Sequence, residues 1–202
     1  MAKADRWLLL GILIWAVSFP SLASGAAPCP PNVFHFDAAK SRISGSIPYA
    51  VIGQYVCVFQ RYEGELRFDF NAPQNAAVAL SIDAASGHSG FLKLDQLARS
   101  RLLMDAKKYP RIIFKSLRIA PAAGKSQYHV WGELTLHGVT RSVDFPFEIE
   151  SSGRREAGSG FLLRGVWRIN RKDYNIIWHP SFDKAGIVVG DILTVDWEIT
   201  AR

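Results

Sequence analysis

The 202 residues carry 24 Lys and Arg against 18 Asp and Glu, a net charge of +6, and 49% of them are hydrophobic. The basic residues stand singly among apolar ones, with no Lys/Arg run that would track a phosphate backbone, so the composition excludes a nucleic-acid partner. A weak attraction to anionic membrane surfaces is the better use of this charge.

The chain opens on Lys3 and Arg6, runs through an apolar stretch from Trp7 to Val17, and then turns small and polar. That order predicts a signal peptide over residues 1–27, cleaved near 23–27, where Ser21-Leu22-Ala23 and Ser24-Gly25-Ala26 offer small residues to the peptidase. The stretch is too short for a permanent anchor, which needs about twenty apolar residues. Pro28, just before Cys29, argues against lipidation there. Residues 28–202 then suffice for a single domain with a sizeable core. The two cysteines, Cys29 and Cys57, can form a disulfide in an exported protein; the alternative is a free Cys29 with Cys57 packed as a small hydrophobe.

Beyond the leader the dominant period is two, the mark of strands with one dry face and one wet face. Ile43, Gly45, Ile47, Tyr49 and Val51 alternate with polar residues, and so do Leu66, Phe68 and Phe70, then Val78, Leu80 and Ile82. The segment from Ile112 to Ile119 adds a fourth strand. Val130, Gly132, Leu134 and Leu136 form a fifth, and Val143, Phe145, Phe147 and Ile149 a sixth. Phe161, Leu163, Gly165, Trp167 and Ile169 form a seventh, and Leu193, Val195, Trp197 and Ile199 an eighth. Turn residues separate them at Asn71-Ala72-Pro73, Pro121 to Gly124, His137-Gly138, Ser151-Ser152-Gly153 and Ala185-Gly186. Residues 90–108 break the pattern and predict one or two short helices, ended by Tyr109-Pro110. The fold class is therefore all-β and antiparallel with eight strands, and alternation alone leaves open a barrel or a sandwich, hollow or filled.

The chemistry of catalysis is spread thin. His35, His88, His129, His137 and His179 form no HExxH and no close pair, and there is no GxSxG, GxxxxGK or GxGxxG after a strand. Asp95 and Asp105 lie in the one segment without strand pattern and could form an acid–base pair, but capping or solvated roles suit them better. No enzyme, metal or cofactor is expected.

Three blocks in order, Tyr109-Pro110-Arg111-Ile112-Ile113-Phe114-Lys115-Ser116, then Gly132-Glu133-Leu134-Thr135-Leu136-His137-Gly138-Val139-Thr140-Arg141, then Ile169-Asn170-Arg171-Lys172-Asp173-Tyr174, resemble the YceI family of periplasmic proteins. Phe36-Asp37, the Gly64 to Asp69 strand, Ile82 to Ser86, Asp95 ahead of Arg99-Ser100, and Val189-Gly190-Asp191 agree, so the resemblance spans residues 28–202. It implies an extended lipocalin-like eight-stranded barrel in the periplasm. Its lumen would hold a long isoprenoid or similar lipid, often in a homodimer, without metal or catalysis. Tyr49, Cys57 and Leu97 stand where relatives commonly carry His, Gly and His, which makes this ligand region more apolar.

The expected ligand contacts are Ile47, Tyr49, Phe68, Leu80, Leu134, Phe145, Trp167 and Trp197 from the inward faces, with Phe91, Leu94 and Leu97 from the helical segment closing one end. The function expected is storage or transport of an isoprenoid amphiphile, a quinone being one example. The competing expectation is a side-chain-filled barrel that serves as an interaction module beside a membrane electron-transfer partner.

Overall fold

The computed structural model describes residues 32–49, 53–69, 72–124, 126–152, 160–177 and 189–202. The expected signal peptide, Cys29, Val51, Phe70, His179 and the expected Ala185-Gly186 turn fall outside these residues. The described strands are β1 (Asn32–His35), β2 (Arg42–Tyr49), β3 (Gly53–Phe59), β4 (Tyr62–Phe68), β5 (Ala77–Asp83) and β6 (Gly87–His88). Helix α1 (Leu92–Arg99) follows, then β7 (Arg111–Pro121), β8 (Gln127–Leu136), β9 (Val139–Ser152), β10 (Gly160–Asn170) and β11 (Ile192–Ala201). All belong to one antiparallel sheet in the order β1-β4-β5-β7-β8-β9-β10-β11-β2-β3-β6.

Eleven segments replace the eight strands expected because three long strands bend. β1 and β2 lie along the same neighbour, with Phe36 opposite Ala201 and Arg42–Ser46 opposite Glu198–Thr194. Between them the chain makes a short 3-10 turn capped by Asp37, whose carboxylate accepts from the Ala39 amide at 3.1 Å. β3 and β4 follow them as β2's and β1's partners, and β5 and β6 are split by a second turn capped by Asp83. Counted as continuous strands, eight remain.

The sheet closes where β11 meets β1. His35 and Arg202 exchange backbone hydrogen bonds of 2.8 and 2.9 Å, and the Asp37 amide donates to the Thr200 carbonyl at 2.8 Å. Elsewhere the wall is looser. β10 pairs with β9 only from Gly160–Ser152 to Arg164–Glu148, so the rest of β10 keeps β11 alone as its ladder partner.

Alternation translates directly into the two faces of the wall. In β8, Val130, Gly132, Leu134 and Leu136 are buried while Trp131 and Glu133 are exposed. In β7 the phase slips at a bulge between Ser116 and Arg118, which turns Leu117 outward at 70% exposure and returns Ile119 to the inside. The Ser116 hydroxyl accepts from the Val78 amide at 2.8 Å and so covers a backbone donor beside the bulge. At the β8–β9 hairpin His137 and Gly138 both have positive φ, 51° and 75°, the geometry of a tight turn whose second position favours glycine.

The interior is packed solid at one end. Phe161 meets Phe34 edge-on at 4.7 Å and Phe68 at 5.1 Å, and Phe68 meets Tyr128 edge-on at 6.3 Å. Leu66, Ile119 and Ile149 fill the remaining space, and all are buried. The other end is different.

Candidate functional site: a hollow lumen with one polar corner

Toward the far end the barrel wall surrounds a partly open cavity of about 250 Å³. Packed interiors hold few voids larger than a water molecule, whose share of the liquid is about 30 Å³, so this space is hollow by construction. Its wall is carbon, with Tyr55, Cys57, Arg99 and Arg171 the only ionisable side chains among the described lining residues.

Six of the eleven expected contacts line it: Ile47, Leu80, Leu134, Phe145, Trp167 and Trp197. The aromatic ones form a cluster. Phe145 stacks on Trp167 at 4.7 Å and 26°, and meets Trp197 edge-on at 5.3 Å. Gly165 lies opposite Trp197 in the β10–β11 ladder, and a Cβ there would overlap the indole, so the bare backbone is what lets Trp197 lie across the strand.

Five expected contacts do not line the cavity. Tyr49 lies at the end of β2, bridged to Val189, and of that pair it is Val189 that lines the cavity. Phe68 belongs to the solid end. Phe91 caps α1 and is 63% exposed, and Leu94 and Leu97 lie on the flanks of that helix. Residues 91, 94 and 97 make one stripe at helical spacing, whereas the stripe beside it, Asp95, Ala98 and Arg99, is the one turned inward.

That inward stripe builds the polar corner. Asp95 is 1% exposed and sits on α1 where four donors converge. The Tyr55 hydroxyl donates to it at 3.0 Å, the Ser89 hydroxyl at 2.5 Å, the Ser89 amide at 3.0 Å, and His88 Nδ1 lies at 3.0 Å. Burial pushes the Asp95 carboxyl up, but the bonds from Ser89, Tyr55 and His88 outweigh it and hold the group below its usual range. Arg99 approaches Asp95 at 3.8 Å and lines the cavity, and its buried Nε–H meets no acceptor among the described residues. Cys57 lies beside Gly87, where a Cβ would come within 2.5 Å of its sulfur, and burial pushes its thiol up. Among the described residues Cys57 has no disulfide partner, and Cys29, the other half of the expected disulfide, lies outside them.

A depressed carboxylate pKa stabilises the fold above the unfolded-state value, about 3.9, and that stability is lost as pH falls through the folded value. The melting temperature is therefore expected to drop as pH is lowered below about 4. Asp95→Asn should flatten that part of the profile, which a thermal melt series would show.

Arg171 is the second polar feature of the wall. Its guanidinium, 6% exposed, donates to the carbonyls of Gly190 at 2.9 Å, Ile176 at 2.7 Å and Val189 at 3.4 Å, and to Asp191 at 2.9 Å. It ties the chain after β10 to the chain entering β11. The sequence assigns no role to Arg171, Arg99 or Tyr55 and offers Cys57 for a disulfide or an apolar site, although Tyr55, Cys57 and Phe59 alternate and all three line the cavity. Among the described residues no group of three or more His, Cys, Asp or Glu is placed to hold a metal ion.

The model of the YceI-like domain matches residues 34–201. The chain belongs to this YceI-like family. A UPF0312 protein of Vibrio cholerae is 32% identical over 121 residues, 58% of this chain. The chain thus spans 62% of the length of that relative. Among solved structures, Burkholderia cenocepacia BcnA superposes with a TM-score of 0.72 at 26% identity, covering 83% of this chain and 99% of BcnA. A polyisoprenoid binding domain from Saccharophagus degradans superposes with a TM-score of 0.65 over 84% of this chain and 97% of that domain; at 16% identity it shares the YceI-like fold alone.

Proposed function

We propose that this YceI-like protein is a periplasmic lipid-binding protein. It holds a long isoprenoid or similar amphiphile, such as a quinone, in its lumen for storage, transport or stress protection. The observation that carries this reading is the hollow, carbon-lined cavity in a barrel that is solid at its other end. A filled interaction module needs no such void. Each buried methylene contributes about 0.8 kcal/mol, so an apolar tail in a dry lumen needs few polar contacts. At the polar corner Arg99 and Cys57 stand in the wall where an oxygen-bearing head would rest, with the apolar tail running over Trp167 and Trp197. The binding named for the Saccharophagus domain agrees with this chemistry. No catalytic step is part of the proposal.

Protein purified from native membranes and extracted with organic solvent should release a lipid visible by mass spectrometry, and extracts without lipid would refute the reading. Leu80→Trp, which fills the lumen from β5, should reduce the extracted lipid at least tenfold while the barrel still melts cooperatively. Unchanged occupancy in this variant would place the lipid outside the lumen.

A further inference from the structure

We propose that the segment over the polar corner, α1 with the turns on either side of it, is a docking surface for an anionic lipid bilayer, and that the lumen is loaded across it. The outer side of this cap is apolar and basic at once. Phe91 is 63% exposed, Leu92 67% and Leu102 43%. Among the other described residues Leu117 and Val166 stand exposed on strands, which is ordinary for a protein surface, and Ile177 follows the turn after β10.

The exposed charges of the cap are all positive: Lys93, Arg101, Lys107 and Lys108. Its two acids are withdrawn. Asp95 is buried in its hydrogen-bond cluster, and Asp105 is half-buried in a turn at φ 40°, where its carbonyl accepts from the Lys108 and Tyr109 amides at 2.9 Å. Apolar side chains flanked by Lys and Arg on a short amphipathic element are the composition that settles into an interface of acyl chains and anionic headgroups. A purely aqueous role would leave Phe91 and Leu92 as uncompensated exposed surface.

The inner side of the same segment is cavity wall. Ala98, Arg99, Leu103 and Met104 face the lumen, so a single layer of chain separates it from the patch. A lipid passing between bilayer and lumen at this point would meet carbon on both sides, with Arg99 in the wall between them. The loading step rests on the lipid-binding reading above; the docking step does not.

Flotation of the full chain with vesicles tests the docking step. Phosphatidylcholine mixed with phosphatidylglycerol should carry the protein up, phosphatidylcholine alone should carry far less, and added salt should release it. Lys93→Gln with Lys107→Gln should weaken binding roughly thirtyfold. Phe91→Ser with Leu92→Ser should weaken it at least tenfold. Residues 1–31 are common to parent and variants, so the difference belongs to the cap. Titration with retinol, a fluorescent isoprenoid, reports the lumen separately, and both double variants should bind it as the parent does. Variants that float like the parent, or parent binding indifferent to lipid charge and salt, would overturn the docking proposal. A parent that floats but takes up no retinol would instead overturn the lumen reading and the loading step.

Discussion

Arg171→Met is expected to lower the free energy of unfolding by about 3–5 kcal/mol, the cost of breaking a buried charge network by removing one partner. Methionine keeps much of the arginine stem but offers no donor. The carbonyls of Gly190, Ile176 and Val189 and the Asp191 carboxylate would all lose their arginine bonds. An unsatisfied buried acceptor costs about 1–3 kcal/mol, so several at once make this a large effect for one side chain. Arg171→Lys should recover only part of it, because an ammonium presents three donors from a point and cannot reproduce the planar fork. Urea melts of parent and both variants give the comparison. A loss below about 1 kcal/mol for the methionine variant would mean that the carbonyls find other partners.

Phe161→Ala should cost a comparable amount, about 3–5 kcal/mol, for a different reason. Phe161 is 1% exposed and packs against both Phe34 and Phe68 in the solid end of the barrel. The cavity left there would be remote from the lumen, so retinol affinity should stay within about twofold of the parent in a fluorescence titration. Leu80→Trp should give the reverse pattern, with stability nearly kept and affinity lost. If Phe161→Ala abolished retinol binding while melting like the parent, the division into a solid and a hollow end would be wrong.

Much of the wall was legible from the amino-acid order because a barrel wall has one dry face and one wet face, and side chains alternate between them. The buried faces of β8, β9, β10 and β11 fall on the residues that the alternation selects. β3 escaped notice because its outward face carries Val56 and Val58, so apolar residues appear at both phases and the period fades. The bends were hidden for a related reason: a kinked strand keeps its alternation on each side of the kink, and only the capping carboxylates of Asp37 and Asp83 mark the break. In α1, eight residues give about two turns, too few for the apolar stripe to declare its facing, and the side turned inward carries Asp95 and Arg99. Polar lining residues are invisible to a search for apolar periodicity. Phe68 shows the remaining limit, since alternation says that a side chain points inward but not whether the inside at that height is filled.

The ladder between β9 and β10 stops at Glu148 and Arg164, and the same register carried onward would set Phe145 opposite Trp167. There the wall is held by two stacked rings where a backbone pair would otherwise stand. Parting such a pair costs only about 0.5–1.5 kcal/mol, and the rings can slide before they separate. The girth of the vessel is thus set by a clasp on one side and a weld on the other, where β11 returns to β1. A guest thicker than the resting bore would be accommodated by loosening the clasp, with the weld left intact.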